Sequence, residues 1–153
     1  MSYNTFWFDY RTLHEKAQTM LFSFLAVAAG GAIGAAGRYG VALATQALIP
    51  SEHALAGFPV ATIFVNIVGC FVIGFASHFF MQADFPTSGS WKLFCITGIL
   101  GGFTTFSTFS LESIDLLQSG ATGLGALYIG LSLALCLVGV FAGRLLAQII
   151  WKA

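Results

Sequence analysis

Charge is what this chain lacks. Only 8% of its 153 residues are Asp, Glu, Lys or Arg, against about 25% in a soluble domain. So few charges cannot cover a water-facing surface, which excludes an ordinary soluble protein. The six basic residues are balanced by six acidic ones, so there is no basic footprint for nucleic acid. Metal-ligand spacing is missing as well. Cys70, Cys95 and Cys136 lie far apart in apolar segments and read as small buried hydrophobes. No nucleophile, base and orienting group stand together within the apolar segments, which argues against an enzyme, and no nucleotide-binding or energy-coupling motif is present. Residues 1–19 lack an apolar core followed by a small-residue cleavage site, so they do not read as a secretory signal. With Asp9, Arg11, His14, Glu15 and Lys16 they are predicted to form an N-terminal extension, as a short interfacial helix.

What the chain has in excess is apolar length. Hydrophobic residues make up 58% of it, and about 20 in a row suffice to cross a bilayer as a helix. Four segments qualify: Met20 to Ile49, Phe58 to Met81, Trp91 to Leu117 and Gly123 to Trp151. Breakers mark the joints at Pro50-Ser51-Glu52-His53, at Asp84-Phe85-Pro86-Thr87-Ser88-Gly89 and at Gln118-Ser119-Gly120. The expected fold is an all-α membrane protein, with residues 20–153 forming a single four-helix domain and no soluble half. Small residues four apart let helix backbones approach closely. They occur at Gly30 and Gly34, Ala36 and Gly40, Ala126, Gly130 and Ala134, and Gly139 and Gly143. These faces predict tight packing within the bundle and leave surface for a second copy. Both termini fall on one side, with Arg11, Lys16, Lys92 and Lys152 and with Arg144 nearby, against Arg38 on the other. That bias predicts cytoplasmic termini, and it weakens without the extension.

The polar residues inside these segments carry the functional signal. Gly101-Gly102-Phe103-Thr104-Thr105-Phe106-Ser107-Thr108-Phe109-Ser110 places a glycine pair, five hydroxyls and three phenylalanines at membrane depth. The glycine pair predicts a helix break near Gly101–Thr104. Carbonyls freed there are tolerated only inside protein or beside a cavity, and converging carbonyls suit a hard cation. Phe106 and Phe109 are three apart, with Ser110 near the same face, and ring edges turned into a conduit favour an anion. The alternative is that these rings face lipid and the hydroxyls bond back to their own helix. Asn66, one turn after Thr62, either joins two helices or offers its amide to a passing anion. Arg38 either snorkels or sits at an aqueous mouth. Tyr128 and Ser132, one turn apart, form a hydroxyl track unless Tyr128 is simply interfacial. Glu112 is the acid placed to share an opening with that track.

Together these residues resemble the Fluc, or CrcB, family of fluoride channels. The likeness rests on Gly98-Ile99-Leu100-Gly101-Gly102-Phe103-Thr104-Thr105-Phe106-Ser107-Thr108-Phe109-Ser110-Leu111-Glu112. Gly30 to Tyr39, the Thr62-x-x-x-Asn66-x-x-Gly69 run, and Tyr128 with Ser132 support it, and it covers about residues 21–150. The resemblance implies an antiparallel, dual-topology homodimer of four-helix subunits in the cell membrane, with two pores along the subunit interface that export fluoride passively. It implies that Phe106 and Phe109 line the pore and that Asn66 donates to the ion. Thr62, Ser110, Tyr128, Ser132 and Glu112 would form the polar lining, and Arg38 the vestibule. The carbonyls of Gly101 and Thr104 would hold a structural Na+ at the dimer centre. Two departures stand out. Cys136 replaces a serine that extends the track in some relatives, and the charged extension favours one fixed orientation. The rival functions are a small proton-coupled multidrug exporter and a non-transporting scaffold subunit. The first needs a membrane carboxylate, usually in the first helix, and the first span here carries Arg38 and no acid. The second would not require the polar constellation from Gly101 to Glu112.

Overall fold

The computed structural model describes residues 3–49, 57–82 and 89–152, and for residues 3–11, 78, 79, 81, 82 and 152 it describes the backbone alone. The joints expected at Pro50–His53 and Asp84–Ser88, and the side chains of Asp9, Arg11, His78 and Lys152, lie outside the described residues. All regular structure among the described residues is helical, and four spans are long and apolar enough to cross a membrane: Thr12–Leu48, Val60–Ser77, Gly89–Gln118 and Thr122–Trp151.

Helix α1 runs Tyr3–Leu48, 46 residues, or about 69 Å at 1.5 Å per residue, roughly twice the hydrocarbon thickness. The extension is therefore no separate interfacial helix. It continues into the first span, because neither glycine nor proline interrupts the chain before Gly30. Helix α2, Val60–Gln82, begins directly after Pro59. The third span is composite. Helix α3, Gly89–Lys92, passes into a π-helical stretch, Leu93–Leu100, and then into α4, Gly101–Phe103. Thr104 and Thr105 are extended (φ −86°, ψ 159° and φ −152°, ψ 116°) before α5, Phe106–Gln118. Gly120 turns the chain with φ +85°, a region that favours glycine, and α6 follows over Thr122–Lys152.

Two helix pairs build the subunit. The π stretch and α4 pack on α1, while α2 packs on α6 and α5 leans on α6. The third span thus changes partner at Thr104 and Thr105. Backbone proximity sets both seams. A Cβ on Gly34 would collide with the Ile99 carbonyl and lie 2.8 Å from the Phe103 nitrogen, and one on Gly98 would lie 2.8 Å from Gly30 Cα. A Cβ on Gly102 would lie 2.5 Å from the Gly31 carbonyl. On the other seam Gly143 abuts the Phe71 carbonyl and Gly74 the Val140 carbonyl. The small-residue spacings at Gly30 and Gly34 and at Gly139 and Gly143 therefore seal the bundle, as expected. Those at Ala36 and Gly40 and at Ala126, Gly130 and Ala134 do not. They are exposed on the subunit, and nothing lies within 4 Å of a Cβ placed on Gly40 or Gly130. The remaining outer surface is apolar, with Phe24, Leu137 and Phe141 exposed, as a lipid-facing wall must be.

Candidate functional site

The two extended residues of the third span are held from α2. Asn66 pairs with Thr105 on both sides of its backbone. The Thr105 N–H donates to Asn66 Oδ1 at 2.8 Å, and Asn66 Nδ2 donates to the Thr105 carbonyl at 3.1 Å. Gly69, on the same face of α2, leaves room for the Thr104 methyl, which a Cβ there would strike. Thr105 then caps α5: its hydroxyl accepts from the Thr108 N–H at 3.2 Å and donates to the Thr108 hydroxyl at 3.0 Å. In an unbroken helix, Thr105 N–H would close onto the Gly101 carbonyl and Thr108 N–H onto the Thr104 carbonyl. Both donors are diverted, one to Asn66 and one to the Thr105 hydroxyl. The two carbonyls proposed from the sequence as cation ligands are thus among those whose helical donors are taken elsewhere.

A second set of hydrogen bonds ties α2, α5 and α6 together. Glu112, on α5, accepts from the Thr62 hydroxyl at 2.9 Å through Oε1 and from the Tyr128 hydroxyl at 2.6 Å through Oε2. Tyr128 is fully buried and Thr62 nearly so, so Tyr128 is not an interfacial tyrosine. Its ring meets Phe109 at 5.3 Å and the Phe58 ring edge-on at 5.8 Å. Tyr128→Phe removes one donor from Glu112. Its coupling to Glu112→Gln in a double-mutant denaturation cycle is expected to be about 1 kcal/mol or more. Additive losses would show that the short contact contributes nothing to stability.

Phe106 and Phe109 touch, with centroids 5.5 Å apart, but their surroundings differ. Phe109 is 8% exposed and packed against Tyr128, whereas Phe106 is 75% exposed and projects from the subunit. The Asn66–Thr105 pairing has a cleft on each side. The first, about 460 Å³, is lined by Arg38, Thr62, Thr105, Thr108 and Glu112, along with Tyr39 and Gln46. The second, about 350 Å³, is lined by Asn66, Gly101, Thr104, Phe106, Phe109 and Ser132, with Cys70 and Cys136. Ser132 Oγ is buried with no hydrogen-bond partner, alone in this among the described side-chain polar atoms. Ser110 lines neither of these clefts, and its hydroxyl donates back to the Phe106 carbonyl at 2.9 Å. The structure therefore places nine of the eleven candidate residues in the walls of two clefts; Tyr128 is buried and bonded to Glu112, and Ser110 is bonded within its own helix.

Sequence reasoning passed over Thr105 and Thr108 as individual residues. A threonine followed three residues later by another, just before a helix, is a cap signal that could have marked them. It also passed over the four-residue spacing of Gly98 and Gly102, which matches that of Gly30 and Gly34 across the seam.

A family model described as "CrcB-like protein, Camphor Resistance (CrcB)" matches residues 25–144. The chain belongs to the CrcB family. Its curated relatives include proteins named fluoride-specific ion channel FluC. That of Ruminiclostridium cellulolyticum is 45% identical over 130 residues, 85% of this chain and 95% of the relative. That of Rhizobium meliloti is 45% identical over 124 residues, 81% and 94% of the two chains. That of Elusimicrobium minutum is 44% identical over 134 residues, 86% and 98%. The matched CrcB region includes every candidate residue of both clefts, while the whole extension precedes it.

Proposed function

We propose that this CrcB protein is a passive, electrogenic fluoride channel of the cell membrane that lowers cytoplasmic fluoride, and not an enzyme. The observation that carries the reading is the second cleft, where the unpartnered Ser132 hydroxyl lies with the Asn66 amide and the Phe106 and Phe109 rings. Fluoride is small and tightly hydrated, so a pore must replace its water with close donors. A hydroxyl without a protein acceptor, an amide with one of its two N–H groups still uncommitted, and ring edges supply them without a fixed cation that would trap the ion. Arg38 and Glu112, which line the first cleft, would form the aqueous approach. The relatives named above as fluoride-specific channels support the identity of the anion. Hydrogen fluoride enters acidified cells as a neutral acid and dissociates inside, and the anion then leaves down the membrane potential.

The working unit in this proposal is an antiparallel, dual-topology homodimer with two pores along the subunit interface. Two features favour a second copy: Phe106 projects outward beside a cleft that one subunit leaves open on that side, and the stripes at Ala36 and Gly40 and at Ala126, Gly130 and Ala134 are uncovered. A structural Na+ at the dimer centre fits the donor set, because the Gly101 and Thr104 carbonyls have lost their helical N–H donors and hard cations take oxygen ligands. When bound, the ion would supply positive charge and cross-link the two broken spans.

Liposomes loaded with fluoride and containing the purified protein are expected to release it electrogenically, with chloride retained. Phe106→Ile should slow release at least about tenfold, equivalent to about 1.4 kcal/mol on the barrier, while the dimer persists. Replacing Na+ with a larger cation should also weaken release. Well-incorporated protein that passes no fluoride would end the reading, and indifference to Na+ would end the cation site alone.

A further inference from the structure

Two of the groups lining the second cleft are thiols with no part in the reading above. Cys70 projects from α2 and Cys136 from α6, and both line the cleft beside Ser132 and Phe106. Gly74 abuts the Val140 carbonyl, and Cys70 and Cys136 each lie one helical turn before that contact on the same seam; both are free, partly exposed cysteines. The helices carrying them are in backbone contact nearby: a Cβ on Gly139 would lie 3.2 Å from the Ile67 carbonyl and 3.6 Å from Cys70 Cβ. The two thiols are therefore set in one cleft wall by packed helices and not by a loop. Sequence separation and apolar context conceal this, since neither thiol alone signals a site.

We propose that Cys70 and Cys136 form a two-coordinate site for a thiophilic cation of the Hg2+, Ag+ or Cu+ class in the wall of this cleft. Soft sulfur ligands select soft metals. Each thiol gives up its proton to water as its sulfur–metal bond forms, so Hg2+ releases two protons and leaves a neutral S–Hg–S bridge with no change in oxidation state. Among the described residues, no third His, Cys, Asp or Glu joins the pair. That disfavours Zn2+, which takes four ligands, and suits cations content with two. Cys95, in the π-helical stretch, does not line the cleft. A metal bridging α2 and α6 here would obstruct the passage beside Phe106. That consequence, unlike the metal site, rests on the fluoride-channel reading.

The test uses full-length protein carrying Cys95→Ser, with HgCl2 as the probe. In detergent, near-ultraviolet sulfur-to-mercury absorption should saturate at one Hg2+ per subunit and persist against a monothiol competitor. Adding Cys70→Ser or Cys136→Ser should weaken retention by about 100-fold or more, as when a second, intramolecular contact is lost. Zn2+ should not be retained. Single-thiol variants that hold Hg2+ as tightly as the pair would overturn the site, and Cys→Ala versions guard against misfolded serine variants. In liposomes, HgCl2 should block efflux only when both thiols are present, scored as a fraction of each variant's own flux, with a dithiol reversing it. Tight retention without block would uphold the site and remove this cleft from the ion path. Untreated protein without fluoride flux would defeat the channel reading, while the absorption arm would still decide the metal site.

Discussion

Asn66→Ala is expected to destabilise the subunit by about 2–6 kcal/mol, since two backbone groups at membrane depth would lose their partners at about 1–3 kcal/mol each. An ordinary hydrogen bond between membrane helices contributes less, about 0.6 kcal/mol on average, because the polar side chain finds other partners when separated. Asn66 differs in what it serves. Its partners are the N–H and carbonyl of Thr105, an extended residue with no neighbouring strand and no water in hydrocarbon to replace them. One escape is open to the variant. Thr105 N–H can close onto the Gly101 carbonyl and carry the helix through the break, which recovers part of the energy but removes that carbonyl from any cation. The variant should therefore show a lower unfolding midpoint in detergent, loss of Na+ sensitivity and little fluoride flux. Thr105→Ala, which removes only the cap, should cost about 1 kcal/mol. If Asn66→Ala costs no more than the cap variant, Asn66 does not hold the break.

Gly34→Val should prevent stable folding of the subunit. Its Cβ would meet the Ile99 carbonyl and the Phe103 nitrogen, both backbone atoms that cannot swing aside like a side chain. Relief requires moving α1 away from the π stretch and α4, which would also part Gly30 from Gly98 and Gly31 from Gly102. Overpacking usually costs about 1–3 kcal/mol, and this contact belongs at or beyond the top of that range. Gly123→Ala, on α6 outside the uncovered stripes, is the contrast. A Cβ there meets nothing within 4 Å, and alanine is the better helix former by about 1 kcal/mol. One glycine substitution should abolish the folded subunit and the other should leave it as stable or more so, measured as the denaturation midpoint of purified protein. Equal effects would show that the α1 seam yields.

Partners from distant segments set the roles of individual residues. Asn66 was open in the sequence to two roles, joining helices or meeting an ion. Its bonds to Thr105 place it in the first role and leave one N–H for the second. Tyr128 was open to an interfacial position, and its burial against Phe109 and its bond to Glu112 remove that option. Ser110 was expected near the shared face of Phe106 and Phe109 or bonded back to its own helix, and its hydroxyl donates to the Phe106 carbonyl, a local bond that any membrane-helix serine can make. The extension read as a separate element because its composition changes at Met20. Helix continuity depends on backbone breakers, and none occurs there.

The surrounding solvent, the number of spans and the family are legible in the amino-acid sequence. Those follow from composition, apolar length and a contiguous motif, all of which are local properties. It also marked the glycine pair and hydroxyls from Gly101 to Ser110 as the place where a lipid-facing helix would not be written that way. Which carbonyls lose their donors emerges only from tertiary packing, because the diverting groups are Asn66, 39 positions away in the chain, and a cap that acts only once the helix restarts. It alone decided that Ser132 keeps an unpartnered hydroxyl in a cleft and that Cys70 and Cys136 line that same cleft. A hydrogen bond, a seam or a thiol pair between distant segments exists only where packing brings them together. Packing here is set by glycines that allow two backbones to touch, and a sequence shows that glycines are present without showing what they touch.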